Sequence, residues 1–187
     1  MIDLSIIIVN WNTRELLVKC LRSVYETVES VSFEVLVVDN GSSDGSAAMV
    51  RERFPRVRLI ENRENLGFAA ANNQAIQESS ARYVLLLNSD TEVRPGALNA
   101  LLQFMEAHPE AGGGGARLLN ADGSLQPSCH PMLTPEREFW RLLFLDPLWR
   151  RATYSQNQWG FEIPRQVEVI KGACFLLRRY ALNQVGL

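Results

Sequence analysis

Cysteine is scarce in this 187-residue chain: Cys20, Cys129 and Cys174 are odd in number and lack a CxxC spacing or a histidine partner. Such a set supports neither a disulfide framework nor a zinc site, and it fits a reduced, cytoplasmic setting. An excess of one charge is also missing. Nineteen Lys and Arg against 21 Asp and Glu give a net charge of −2, so no basic field points to nucleic acid. Long apolar runs are absent near the N-terminus, where Leu4 to Val9 is flanked by the acidic Asp3 and by no basic segment. It reads as neither a signal peptide nor a spanning helix, which leaves any membrane association peripheral. The two histidines, His108 and His130, each precede a proline and have no nearby acidic or cysteine partner, so they read as surface residues rather than ligands.

What is present is a core. A 47% hydrophobic composition at this length suits one domain. Leu4 to Val9 is a β-branched run that reads as a central parallel strand, ending at Asn10, Trp11 and Asn12. Asn12 with Glu15 has the spacing of a capping box, and Leu17, Cys20, Leu21, Val24 and Val28 share one helical face. Phe33 to Val38 is a second strand that runs into Asp39, Asn40, Gly41, Ser42, Ser43 and Asp44. A helix from Ser46 to Phe54 is broken by Pro55, and Val57 to Ile60 alternates like an edge strand. Asn65 and Gly67 form a turn before a helix whose Ala69, Ala70 and Ala71 permit close approach. Tyr83 to Leu87 is a fourth buried strand, ending at Asn88, Ser89 and Asp90, and Pro95 and Gly96 open a helix that Pro109 ends. This βα alternation predicts an α/β fold: a mostly parallel, Rossmann-like sheet with right-handed crossovers and helices on both faces.

After Gly112 to Gly115 the rhythm stops. ARLLNADGSLQPS reads as two short strands joined at Asp122 and Gly123, and Val167 to Ile170 and Ala173 to Leu177 as late strands around Lys171 and Gly172. The chain stops at a barely capped helix, so we expect it to end inside a domain.

Three strands end in polar clusters, and with the first strand central all three line one crevice at the carboxyl edge of the sheet. There Trp11 suits stacking on a base, Asp39 a ribose hydroxyl or base N–H, and Asp90 a divalent cation holding a diphosphate. Each has a plainer alternative: Trp11 as core aromatic, Asp39 as the start of an Asx turn, Asp90 as a cap or turn residue.

The segments SIIIVNWN, VVDNGSSDGS, ENLGFAAANN, LLLNSD, LLNADGSLQPS and KGACFLLRR, in this order, resemble glycosyltransferase family 2, and most of all its rhamnosyltransferase-like branch. The resemblance implies a GT-A fold over residues 1–187, with a nucleotide-binding half (1–115) and the start of an acceptor-binding half (116–187), truncated at its C-terminus. It implies an inverting hexosyltransferase of cell-surface polysaccharide synthesis that moves a sugar, rhamnose among the candidates, from a nucleoside-diphosphate donor. A dTDP-sugar is favoured, with UDP or GDP sugars as alternatives, and the acceptor is a glycan or lipid-linked glycan. A divalent cation, Mg or Mn, is the implied cofactor. Carried over by position, Val9, Trp11, Asp39, Asn65, Asn72 and Asn88 fall at donor nucleotide contacts, and Lys171, Gly172 and Ala173 in a loop near donor sugar and acceptor. Asn88 and Asp90 fall at the DxD position. Asn88 replaces its first Asp, which leaves Asp90 as the expected metal ligand. The family places its base in an acidic pair after the segment GACFLLRR, and no Asp or Glu follows Glu168. We therefore expect the base beyond Leu187 and poor turnover from these residues alone.

REFWRLLFLDPLWRR, over 137–151, fits two roles. One is peripheral membrane contact at the inner face of the cell membrane, with Phe139, Trp140, Phe144 and Trp149 inserted and Arg137, Arg141, Arg150 and Arg151 on anionic headgroups. The other is a helix covering the sheet with snorkelling arginines. Two other functions fit the motifs less well. A sugar nucleotidyltransferase needs a Gly-rich phosphate loop after the first strand, and NWNTRE has no glycine. A non-enzymatic phosphoacceptor module using Asp39 needs acidic residues where the first strand ends in Asn10 and Asn12.

Overall fold

Leu4, Ile6, Ile7 and Ile8 of β1 (Leu4–Asn10) have no solvent-accessible surface, which places this strand inside the sheet. Each such side chain contributes about 1.5–3 kcal/mol through burial. The exception in the run is Ser5, whose hydroxyl donates to Glu34 Oε1 at 2.7 Å. β1 pairs in parallel with β2 (Phe33–Asn40), from Leu4 opposite Phe33 to Asn10 opposite Asp39, and with β4 (Tyr83–Leu87) on its other side. β3 (Arg58–Asn62) adds in parallel to β2. β10 (Cys174–Arg178) is antiparallel to both β4 and β5 (Gly113–Gly115), giving the order β3-β2-β1-β4-β10-β5.

This computed structural model describes residues 2–28, 31–143, 154, 156, 159, 160 and 163–186, leaving out the side chains of residues 140 and 141. The chain forms two units, Met1–Ala116 with Gly172–Leu187, and Arg117–Lys171.

In the first unit the crossovers are α1 (Arg14–Thr27), α2 (Ser46–Arg53), α3 (Phe68–Glu78) and α4 (Ala97–Ala107), and α6 (Arg179–Val185) follows β10. Strand alternation sorts them to two faces. Ile7, Leu36, Val38 and Val84 pack with Ala71, Ala75 and Ile76 of α3, and Leu182 of α6 joins that cluster. Only Ala71 of the three consecutive alanines faces the sheet, since Ala69 and Ala70 are exposed. On the other face Leu85, Leu176 and Gly114 are aligned by register, and Leu101, Phe104 and Met105 of α4 close over Gly114.

Two local expectations change. The glycine run, which does not read as a strand from sequence, forms the edge strand β5 of the sheet. An added Cβ would come within 2.9 Å of Phe175 at Gly113 and 3.4 Å of Met105 at Gly114, so glycine supplies close approach where β-propensity alone predicts none. The capping box at Asn12 does not form. Asn12 is left-handed (φ 54°) with its side-chain oxygen accepting from Ser43 N–H at 2.8 Å, and α1 begins at Arg14. Asp44 from the next loop caps α1 instead, its Oδ2 accepting from Arg14 N–H at 2.9 Å.

At the opposite, amino edge, two arginines from β10 and α6 grip helix ends. Arg178 donates to Met105 O (2.6 Å), His108 O (3.3 Å), Ala111 O (3.2 Å) and the Tyr83 hydroxyl (3.0 Å). Arg179 donates to Ile76 O, Ala81 O and the Ser79 hydroxyl at the end of α3. Positive charge at these carbonyl ends also suits the helix dipole.

In the second unit β6 (Leu118–Leu119) and β7 (Leu125–Gln126) form the hairpin expected at Asp122, with Gly123 at φ 83°. β8 (Cys129–His130) pairs with β9 (Val169–Ile170), and buried Gln156 bridges Ser128 N–H and Cys129 O. Over 137–151, residues 144–151 and the side chains of 140 and 141 lie outside the described residues. On α5 (Pro135–Leu142), Arg137 is paired with Glu168 at 2.8 Å and Phe139 is exposed. Among the described residues no helix is long and apolar enough to cross a membrane.

Candidate functional site

The parallel strands β2, β1 and β4 deliver Asp39, Asn10 and Asn88 to one edge, since register sets Asn10 opposite Asp39 and β4 ends one residue before Asn88. The sheet order makes this the point where successive crossovers diverge from β1, the usual ligand crevice of open α/β sheets.

Asn10 has no exposed surface, and its amide is held from both sides. Its Nδ2 donates to Asp39 Oδ1 (3.0 Å) and to Ser42 Oγ (3.1 Å), and its Oδ1 accepts from Thr13 Oγ1 (2.7 Å). Asp39, 4% exposed, also accepts from Ser42 N–H through Oδ2 at 3.0 Å. It is therefore an Asx turn, and its carboxylate keeps lone pairs for a further donor. Trp11 is 54% exposed, so it is a surface ring and not a core aromatic. Val9, half-buried at the end of β1, packs against the cluster that α3 covers.

Asn40, the next residue, organises the loop between β3 and α3. Its Oδ1 accepts from Asn62 Nδ2 and Leu66 N–H (both 3.1 Å), and its Nδ2 donates to Asn65 Oδ1 at 2.7 Å. Asn65 is otherwise exposed, while Asn72 is buried in α3 with its amide donating to Phe68 O. Gly41 seals this loop. It has φ 78°, and a Cβ there would lie 2.8 Å from Glu64 Cα, so only glycine fits.

At the end of β4, Asn88 N–H donates to Ala173 O (3.0 Å) and Thr91 N–H to Asn88 O (3.1 Å). Gly172 lies against the Phe68 ring, with a Cβ position 3.8 Å away. Gly172 and Ala173 thus join β4 to the start of α3 at this edge, whereas Lys171 belongs to the second unit, where its N–H donates to Ser128 O. Beneath the turn, Cys20 Sγ lies 3.6 Å from Asn88 O. Its thiol is pushed up to about 12 by burial, with Asp90, Cys174 and Glu92 adding to the rise, and so stays protonated and unreactive.

Asp90 is exposed and takes part in no hydrogen bond or ion pair among the described residues, so it caps nothing. No cluster of three or more His, Cys, Asp or Glu suited to a metal occurs among them. One free carboxylate still fits a Mg-type ion, which takes one or two carboxylates and fills its other positions with phosphate and water. From sequence, Asn40 and Ser89 are members of the polar strand-end clusters with no role of their own, and Thr13 carries no signal. The available signal was a polar residue directly after a fully buried run, which a buried structure must satisfy.

A mostly parallel sheet with polar strand ends gathered at its switch point defines an open α/β fold of the ligand-binding kind. Residues 5–186 match the family described as Glycosyl transferase family 2, and the chain belongs to that family. It is 34% identical over 166 residues to the N-acetylglucosaminyl-diphospho-decaprenol L-rhamnosyltransferase of Mycobacterium tuberculosis, covering 81% of this chain and 54% of the relative. It is 33% identical over 106 residues to succinoglycan biosynthesis protein ExoO of Rhizobium meliloti, covering 56% of this chain and 30% of the relative. The chain thus spans about half or less of the curated relatives it matches. Among solved structures, the mannosyltransferase PcManGT of Pyrobaculum calidifontis, in complex with GDP-Man and Mn2+, aligns at a TM-score of 0.64 and 23% identity over 98% of this chain and 46% of that one. TarS of S. aureus (residues 1–349) aligns at 0.60 and 20% identity over 71% of this chain and 42% of that one. These confirm the GT-A fold.

Proposed function

We propose that the carboxyl edge binds a nucleoside-diphosphate sugar and that the chain serves inverting transfer of that sugar to a hydroxyl of a glycan or lipid-linked glycan in cell-surface polysaccharide synthesis. The observation that carries this is the unpaired, exposed Asp90 beside the Asn10–Asp39 cluster in a chain of this family. The name of the rhamnosyltransferase relative supports rhamnose as the sugar and a lipid-linked acceptor; dTDP is the nucleotide we favour over UDP and GDP. The mannosyltransferase neighbour with Mn2+ supports a divalent cation, Mn or Mg.

In this reading Trp11 stacks on the base and Asp39 accepts a hydrogen bond from a ribose hydroxyl or base N–H, with Val9 and Asn65 beside it and Asn72 shaping the start of α3. Asp90 holds the cation, Asn88 assists through water, and the Gly172–Ala173 backbone approaches the donor sugar. A bound cation supplies neutralisation of the departing diphosphate. A carboxylate takes the acceptor proton as the hydroxyl attacks the anomeric carbon. The phosphoacceptor alternative is disfavoured because both Asp39 oxygens are already hydrogen-bonded at a 4% exposed position.

The test is thermal shift with dTDP, UDP and GDP, with and without Mn or Mg, because a ligand bound 100-fold above its Kd stabilises by about 2.7 kcal/mol. Asp90→Ala should abolish the metal-dependent shift and Asp39→Ala should weaken every nucleotide. A metal-dependent shift that survives in Asp90→Ala overturns the metal assignment, and no shift with any nucleotide overturns the reading.

A further inference from the structure

The Asp39 and Asp90 sides of the edge come from different strands, yet one hydrogen-bonded chain joins them. It runs from Asp39 through the Asn10 amide to Thr13 Oγ1, which lies 2.9 Å from Ser89 Oγ, 76 positions away in sequence. Ser89 is the residue between Asn88 and Asp90, so whatever holds its side chain holds the peptide from which Asp90 projects.

The direction of every bond is determined by proton count. A flipped Asn10 would set its oxygen against the Asp39 carboxylate, so the amide N–H groups face Asp39 and Ser42 and use both protons. Asn10 Oδ1 can only accept, which commits the single Thr13 hydroxyl proton to it at 2.7 Å. Thr13 can then meet Ser89 only as an acceptor, and Ser89 donates. The order is Ser89 to Thr13 to Asn10 to Asp39, ending on a carboxylate. Aligned chains of this kind strengthen each other in a low-dielectric interior, so a change at the acceptor end is felt at the donor end. The turn is otherwise anchored by the Asn88 and Thr91 bonds around Ala173 and by Cys20, none of which reaches Asp39.

We infer that Thr13 and Ser89 are positioning residues that couple nucleoside engagement at Asp39 to cation engagement at Asp90. Rather than touching the ligands, they transmit order between two contacts, so that each makes the other tighter. This rests on the reading that Asp39 and Asp90 bind the nucleoside and cation ends of one donor.

The experiment is calorimetry on the full chain with whichever of dTDP, UDP and GDP binds most tightly, with and without Mn, to obtain the factor by which Mn tightens the nucleotide. Thr13→Val keeps shape and removes the hydroxyl, and Ser89→Ala removes the same bond from the other side. Each should reduce that factor by about tenfold, within the usual 5–150-fold range of coupling between sites. The double variant should lose no more than either single one, because both break one link, and Thr13→Ser should restore the factor. Additive losses, or a factor unchanged in folded Ser89→Ala, overturn the coupling while leaving the donor site standing. Should Thr13→Val fail to melt cooperatively, Ser89→Ala with Thr13→Ser decides the question alone. A wild type whose nucleotide affinity ignores Mn and Mg overturns the functional reading itself, and the coupling with it.

Discussion

The two edges of the same sheet are held together by different chemistry. The amino edge carries ion pairs, Arg82 with Asp3 (2.9 Å) and Glu106 (3.1 Å) and Arg58 with Glu34 (3.4 Å) and Glu78 (3.1 Å), besides the Arg178 and Arg179 grips on helix carbonyls. The carboxyl edge is laced by amides and hydroxyls around Asp39, and it leaves Asp90 and Trp11 exposed. Guanidinium groups have many donors and can close several orphan carbonyls at once, which suits an edge that only has to hold. Apart from Asp39 its members are uncharged, so the network fixes geometry without pairing Asp90, the carboxylate proposed above for a cation. In the proposed reading, stability and binding are thereby separated across the strand length of a single sheet.

That separation can be broken from either side. Arg178→Met should produce the largest stability loss, about 3 kcal/mol in urea unfolding, because it leaves three helix and loop carbonyls and the Tyr83 hydroxyl short of a donor. Its nucleotide-dependent thermal shift should persist. Gly41→Ala should cost about 2 kcal/mol, since its φ of 78° and the 2.8 Å approach to Glu64 admit no Cβ. Unlike Arg178→Met, it should also weaken nucleotide binding, because the Asn65 loop must move.

Asp44→Ala should cost least, about 1 kcal/mol, as a capping loss at α1 and α2. Partial burial raises the Asp44 carboxyl, but bonds from the Ser46 hydroxyl and the Arg14 and Ser46 N–H groups outweigh it and hold it below its ordinary value. A lowered native value means the contribution is present above the unfolded value of about 3.9 and fades as pH falls through the native one. Denaturation of wild type and variant from pH 7 downward should therefore show a constant gap that closes in acid.

Much of this was legible from local pattern. β1, β2 and β4 are short apolar runs with abrupt polar ends, and Asp122 with Gly123 specifies its hairpin, because burial and turn chemistry act over a few residues. Asn12 misled: its spacing to Glu15 suits a cap, but Ser43, a residue from another loop, competes for the same oxygen and wins. The glycine run gave no strand signal for a related reason. What makes Gly113 and Gly114 a strand is the nearness of Phe175 and Met105, which no local propensity records.

The sequence by itself determined the βα order, the family, and the three polar strand ends with Asp39 and Asp90 among them, since side-chain type and periodicity fix which residues can be buried. Only the tertiary structure decided that Asn10 joins Asp39 to Thr13 and Ser89, that Asn40 governs the Asn65 loop, and that Arg178 and Arg179 close the helix ends. Those links span tens of residues in sequence, and a hydrogen bond of about 3 Å exists only once the register of neighbouring strands has brought its two partners together.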